Sequence, residues 1–108
     1  MSIYILYHSR RSGKKYAIVD PCSAREIHFG DPRYEDFTQH NDEDRKENYL
    51  ARHAGQGEDW EDPSTAGFWA RWLLWNKPTL PDSIEDTERR FKLSVILENE
   101  KLLKNIQC

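Results

Sequence analysis

From Ile3 to Tyr7 the chain is rich in β-favouring side chains. After the turn residues Ser12 and Gly13, Lys15 to Val19 alternates polar and apolar positions until Asp20 and Pro21 stop it. This pattern predicts a β-hairpin. Arg25 to Phe29 repeats the alternation through Ile27 and Phe29 and ends at Gly30, which predicts a third strand and a meander. Asp31 to Gln39, interrupted by Pro32, reads as a loop that turns Tyr34 and Phe37 inward.

The period then changes. Asn41 or Asp42 caps a helix whose first turn holds Glu43 and Asp44, and Lys46, Tyr49, Leu50 and His53 share one face before Gly55 and Gly57 end it. Ser64 or Thr65 caps a second helix over Phe68 to Trp75, which runs without a breaker until Asn76, Lys77 and Pro78. Thr79 with Asp82 caps a third, in which Leu80, Ile84, Thr87 and Phe91 recur at helical spacing. Leu93, Val95 and Leu97 alternate again, as a strand able to join the N-terminal sheet, and Leu102, Leu103 and Ile106 make a narrow stripe on a short terminal helix. The expected fold is α+β: a small antiparallel sheet, made of the meander plus the C-terminal strand, packed with about three short helices. Residues 1–97 form one domain and residues 98–108 a helical tail.

Phe68 to Trp75 is apolar almost all round a helix, with Arg71 its one charge, so it is buried on most sides. Burying three tryptophans corresponds to about 11 to 19 kcal/mol before discounts for the unfolded chain. Such side chains are core or partner-facing. Trp69, Trp72 and Trp75 are therefore the candidate partner contacts, together with Leu102, Leu103 and Ile106. Arg71 requires a carboxylate, for which Asp36, Glu58, Asp59 and Asp86 are candidates.

The 108 residues fit one core. The formal charge of −3 is concentrated in the middle of the chain, where residues 30–64 carry eleven acidic against four basic groups. That balance gives no general drive toward nucleic acid or an anionic membrane. No apolar stretch approaches the roughly 20 residues that span a bilayer, and no leader pattern precedes the domain, so membrane insertion is not expected. Cys22 and Cys108 read as free thiols in a reducing compartment, and the expected location is the cytoplasm or a particle.

No catalytic motif emerges. His40, Asp42, Asp44, Glu47 and His53 are close in sequence, but helical geometry places Glu47 away from His53, and no HExxH, paired CxxC or EF-hand pattern is present. No metal and no cofactor is therefore expected. Gly55-Gln56-Gly57 lacks the lysine of a phosphate loop, and no serine occupies a nucleophile elbow. Arg45, Lys46, Arg52 and Lys77, beside Tyr49 and Trp75, have the composition of a single-stranded nucleic-acid platform; solvated helix charge is the plainer reading.

Phe29-Gly30, Tyr34, Phe37-Thr38, His40, Arg45-Lys46, Tyr49, Arg52-His53, Trp60 and the block from Thr65 to Leu80 together resemble a family of short uncharacterised proteins of large DNA viruses of algae and protists, and of some marine phages. The resemblance spans Lys14 to Phe91. It implies a viral origin. Members of that family tend to be basic, whereas this chain is acidic in its middle, which favours a protein-facing role over nucleic-acid binding. The expected function is a noncatalytic structural protein, a minor capsid or other virion component bridging larger subunits, found in the virion or host cytoplasm. A nucleic-acid accessory protein and a metal-dependent hydrolase or nuclease around His40 and His53 are the alternatives.

Overall fold

The computed structural model describes residues 2–97. The proposed tail contacts Leu102, Leu103 and Ile106 lie outside them. Three strands, β1 (Ser2–His8), β2 (Tyr16–Asp20) and β3 (Arg25–Phe29), form the expected antiparallel meander. The turn before β2 holds Gly13 at φ 81°, a conformation that glycine adopts without a Cβ clash.

Between β3 and the last strand, β4 (Leu93–Leu97), run α1 (Phe37–His40), α2 (Glu43–Gly55), α3 (Ala66–Trp69), a π-helical turn (Ala70–Leu74) and α4 (Leu80–Phe91). The fold is α+β. β4 joins the sheet beside β1, giving the order β3-β2-β1-β4, but it pairs in parallel, with Ser2 opposite Leu93 and Leu6 opposite Leu97. The sheet is thus mixed rather than wholly antiparallel. The parallel pairing follows from the helical crossover, which returns the chain to the end of the sheet where β1 began.

The helices start where their side chains satisfy the first amide groups. Asp42 accepts from the Asp44 and Arg45 amides, Thr65 from that of Phe68, and Thr79 from that of Asp82. α1 is an added turn, held by a capping box between Asp36 and Gln39. It carries Phe37 into the interior, whereas Tyr34, expected inside, is 65% exposed.

The core joins Leu6, Ile18, Phe29, Leu93 and Val95 of the sheet to Phe68, Trp69, Leu73 and Leu74. Ile5 and Ala17 lie on the opposite sheet face and are also enclosed. Cys22, in the β2–β3 turn, is disulfide-bonded rather than the free thiol expected.

A cleft between the sheet end and the second helix

The predicted Phe68–Trp75 helix changes character midway. After α3 the hydrogen bonding lengthens, and the Trp75 amide donates to the Ala70 carbonyl five residues back at 3.2 Å. Leu73 and Leu74 stay in the core, while Trp75 turns toward α2 and stacks on Tyr49 with centroids 4.2 Å apart and planes 6° from parallel. His53 covers the other face of Tyr49 at 4.0 Å, as expected for positions i and i+4 of one helix. His40 lies 5.4 Å from Trp75.

This column forms one wall of a cleft of about 380 Å³. Phe29, Gly30, Ala66, Gly67, Ala70 and Leu74 contribute its small and apolar surfaces, and Lys14, Lys15, Asp31, Tyr34, Glu35 and Asp36 come from the sheet end and the loop after it. Gly30 is required here: its φ is 80°, and a Cβ would meet Leu74 Cδ1 at 2.9 Å. Gly67 leaves room for Glu58, whose carboxylate a Cβ would approach to 3.1 Å.

Most charges around the cleft pair with one another. His53 Nδ1 donates to Glu58 Oε2 at 2.7 Å, Trp60 Nε1 donates to Glu58 Oε1 at 2.9 Å, and Lys15 Nζ donates to Asp36 Oδ2 at 2.7 Å and to Gln39 Oε1 at 2.6 Å. Asp31 bonds to Arg33, which draws its carboxyl down to about 2. Tyr49 behaves differently. It is 8% exposed, and burial, then the Glu58 charge, push its phenol well above the usual tyrosine range, so it remains a neutral hydroxyl.

That hydroxyl has no hydrogen-bond partner among the described residues. The same holds for the Trp75 indole N–H, although the other three indoles donate: Trp60 to Glu58, Trp69 to the Pro63 carbonyl at 2.8 Å and Trp72 to the Trp60 carbonyl at 2.7 Å. The sealed unsatisfied side-chain atoms among the described residues are His40 Nε2 and Arg71 Nε. The Tyr49 hydroxyl and Trp75 N–H are therefore accessible, and both residues line the cleft.

The residues singled out from sequence separate. Trp69 is wholly buried and offers no partner surface; Trp72 and Trp75 are partly buried. Trp72 carries two guanidiniums over its ring, Arg71 at 4.2 Å and Arg90 at 4.6 Å from the ring centre. Arg71 was expected to pair with Asp36, Glu58, Asp59 or Asp86. It instead donates to the Trp75 carbonyl at 2.8 Å and sits over the Trp60 and Trp72 rings, which replaces a carboxylate with aromatic faces and a carbonyl. Burial lowers its pKa.

Of the four basic candidates, Arg45, Arg52 and Lys77 are exposed. Lys46 is turned inward, donating to the Asn76 carbonyl at 2.7 Å and lying 4.8 Å over Phe37, and burial lowers its pKa. Both faces of Tyr49 are covered, so the proposed stacking platform lacks that surface. Among the described residues no group of three or more His, Cys, Asp and Glu side chains is placed to hold a metal, and no helix is long and apolar enough to cross a membrane.

Sequence reasoning missed a second polar network. On the sheet face opposite the helices, the Tyr7 hydroxyl donates to Glu26, His28 Nε2 donates to Glu26 Oε1 at 2.5 Å, and Ser9 Oγ donates to His28 Nδ1 at 2.7 Å. Tyr7, Ala17 and His28 are aligned across three strands, and the small Ala17 lets the larger side chains meet over β2. The Tyr7 bond is the main reason the Glu26 carboxyl titrates below its ordinary value. Alternation within β3 puts Glu26 and His28 on one face, but the register that brings Tyr7 and Ser9 to them is not legible in the sequence.

Residues 4–53 match a family of unknown function, DUF5754. The matched span runs from within β1 to His53 and so includes one side of the cleft. No curated protein and no solved structure gives a match.

Proposed function

We propose that this chain is a noncatalytic interaction protein, a minor capsid or other virion component of a large DNA virus that bridges larger subunits. The observation that carries the reading is the division of labour in the cleft. Most of its acid–base groups neutralise one another, whereas its open groups, the Glu35 carboxylate apart, are donors without acceptors, an arrangement suited to holding a partner. The resemblance of the Phe29–Leu80 segments supports the viral origin, and many of those residues line the cleft.

The basic residues support a nucleic-acid role less well, because Lys46 bonds inward and the Tyr49 faces are closed. A hydrolytic centre on His40 and His53 is disfavoured by their bonding: His53 is held by Glu58, and His40 Nδ1 accepts the Asp42 amide at 2.9 Å. Quantitative mass spectrometry of purified virus particles tests the proposal. The protein is expected at a fixed ratio to the major capsid subunit, and its absence from particles would sink the virion reading.

A further inference from the structure

The cleft's open donors define the chemistry of what it receives. Tyr49 and Arg52 stand at i and i+3 of α2, on neighbouring positions of one face, and Trp75 stacks directly on Tyr49. The Tyr49 hydroxyl, the Trp75 N–H and the Arg52 guanidinium all lack a hydrogen-bond acceptor among the described residues, although all three residues line the cleft. Tyr49 is more than nine-tenths buried. Its hydroxyl is not among the sealed side-chain atoms, so this donor remains accessible while the ring beneath it is held by the stack.

Charge narrows the choice. Lys15, His53, Asp31, Asp36 and Glu58 have ionic partners within the protein. Lys14 and Arg52 have no side-chain hydrogen bond or ion pair among the described residues, and Glu35 is the one carboxylate in the same state. The unpaired groups thus favour an anion, but Asp31, Glu35, Asp36 and Glu58 all border the space, and like charges in one site repel. A singly charged carboxylate fits these neighbours better than a phosphate or a phosphodiester backbone. Nucleobases find little stacking surface, because His53 and Trp75 cover both faces of Tyr49 and His40 lies against Trp75.

We propose that the cleft receives a carboxylate carried by an acidic segment of a protein partner, gripped by the Tyr49 hydroxyl, the Trp75 indole N–H and the Arg52 guanidinium. This rests on the interaction reading above and gives that partner its chemistry. Specificity comes from matching a planar acceptor to donors already in place, with little rearrangement of the stacked rings.

The test is an NMR titration of the full chain that follows the Trp75 indole signal. The probes are an N-acetylated, C-amidated Gly-Glu-Gly peptide, its Gly-Gln-Gly counterpart, inorganic phosphate and a thymidine decanucleotide. The glutamate peptide is expected to shift the signal saturably while the glutamine peptide does not. Tyr49→Phe and Arg52→Gln should each weaken binding by about five- to tenfold, the loss of one hydrogen bond. Tyr49→Phe keeps the ring stack, and its thermal midpoint verifies that it is folded.

Equal binding of the two peptides, no saturable shift with the glutamate peptide, or tighter binding of phosphate or the decanucleotide through the same residues overturns the proposal. Its failure alongside detection in particles leaves the interaction reading standing. Peptide binding without particle association removes the virion assignment and keeps the carboxylate site.

Discussion

The Asn76 side chain donates to Asp86 Oδ2 across 2.8 Å, with the two residues only 6% and 4% exposed. This bond ties the segment leaving the π-helical turn to α4. Arg89 and Arg90 bond to the same carboxylate from α4, and Arg90 extends over Trp72. Asp86→Ala would leave a buried amide and two guanidiniums without their acceptor. It should cost about 2 to 4 kcal/mol, measured as a lower urea midpoint with an unchanged slope.

The same carboxylate sets part of the acid limit. Burial alone would raise the Asp86 pKa, but the Asn76 bond, the Arg90 charge and the bonds from Arg89 and Arg90 outweigh it and hold the group below its ordinary 3.8. Glu26 is likewise held below 4.5, chiefly by Tyr7. A depressed folded pKa contributes stability that is present above the unfolded value and lost as pH falls through the folded one. Urea midpoints should therefore fall as pH drops below 4.5 and then 3.8, and Asp86→Asn should flatten the lower part of that limb. An unchanged slope in the variant would remove Asp86 as its cause.

Gly67→Ala tests whether Glu58 is fixed. An exposed helical alanine usually gains about 0.5 to 1 kcal/mol over glycine. Here the new methyl would approach the Glu58 carboxylate to 3.1 Å, and His53 and Trp60 hold that carboxylate in place. The substitution should destabilise the wild type by about 1 kcal/mol and become neutral or favourable in a Glu58→Ala background. A gain in both backgrounds would show that Glu58 moves freely.

The sequence pattern was informative where one local rule determined the outcome. The caps Asp42, Thr65 and Thr79 were visible, as were the four strands and the buried Phe68–Leu74 stripe, because each depends on neighbours within a few residues. The parallel pairing of β4 depends on the path of a long crossover, and the π turn on a backbone hydrogen-bond shift that leaves the apolar pattern intact. The Glu58 pairings and the bonding of Arg71 to a backbone carbonyl rather than a carboxylate depend on loop positions that periodicity does not encode. Tyr34 was misplaced for a related reason: one turn beginning at Phe37 satisfies the local burial, leaving Tyr34 outside.

Hydrogen exchange should separate the four indoles. Trp60, Trp69 and Trp72 each donate to a protein oxygen, whereas the Trp75 N–H has no acceptor among the described residues and is not sealed. Its signal should exchange first, with the Trp69 signal among the slow ones because that ring is fully enclosed. Protection of Trp75 equal to that of Trp69 would mean that its N–H is not open.

The Ser9–His28–Glu26 chain permits a sharp test of the noncatalytic reading, because a serine donating to a histidine held by a carboxylate is the order used in nucleophilic hydrolases. Here the histidine side chain is only 8% exposed, and Ser9 Oγ also accepts the Arg11 amide at 3.0 Å. The depression of about 370 Å³ beside Ser9 is walled by His8, Lys14, Lys15 and Tyr16 and not by His28. An acyl group bound there would meet the serine without its base facing the same space. Incubation with a fluorophosphonate should therefore leave the intact mass unchanged. A stoichiometric adduct on Ser9 that disappears in His28→Ala would establish a competent nucleophile and overturn the noncatalytic assignment.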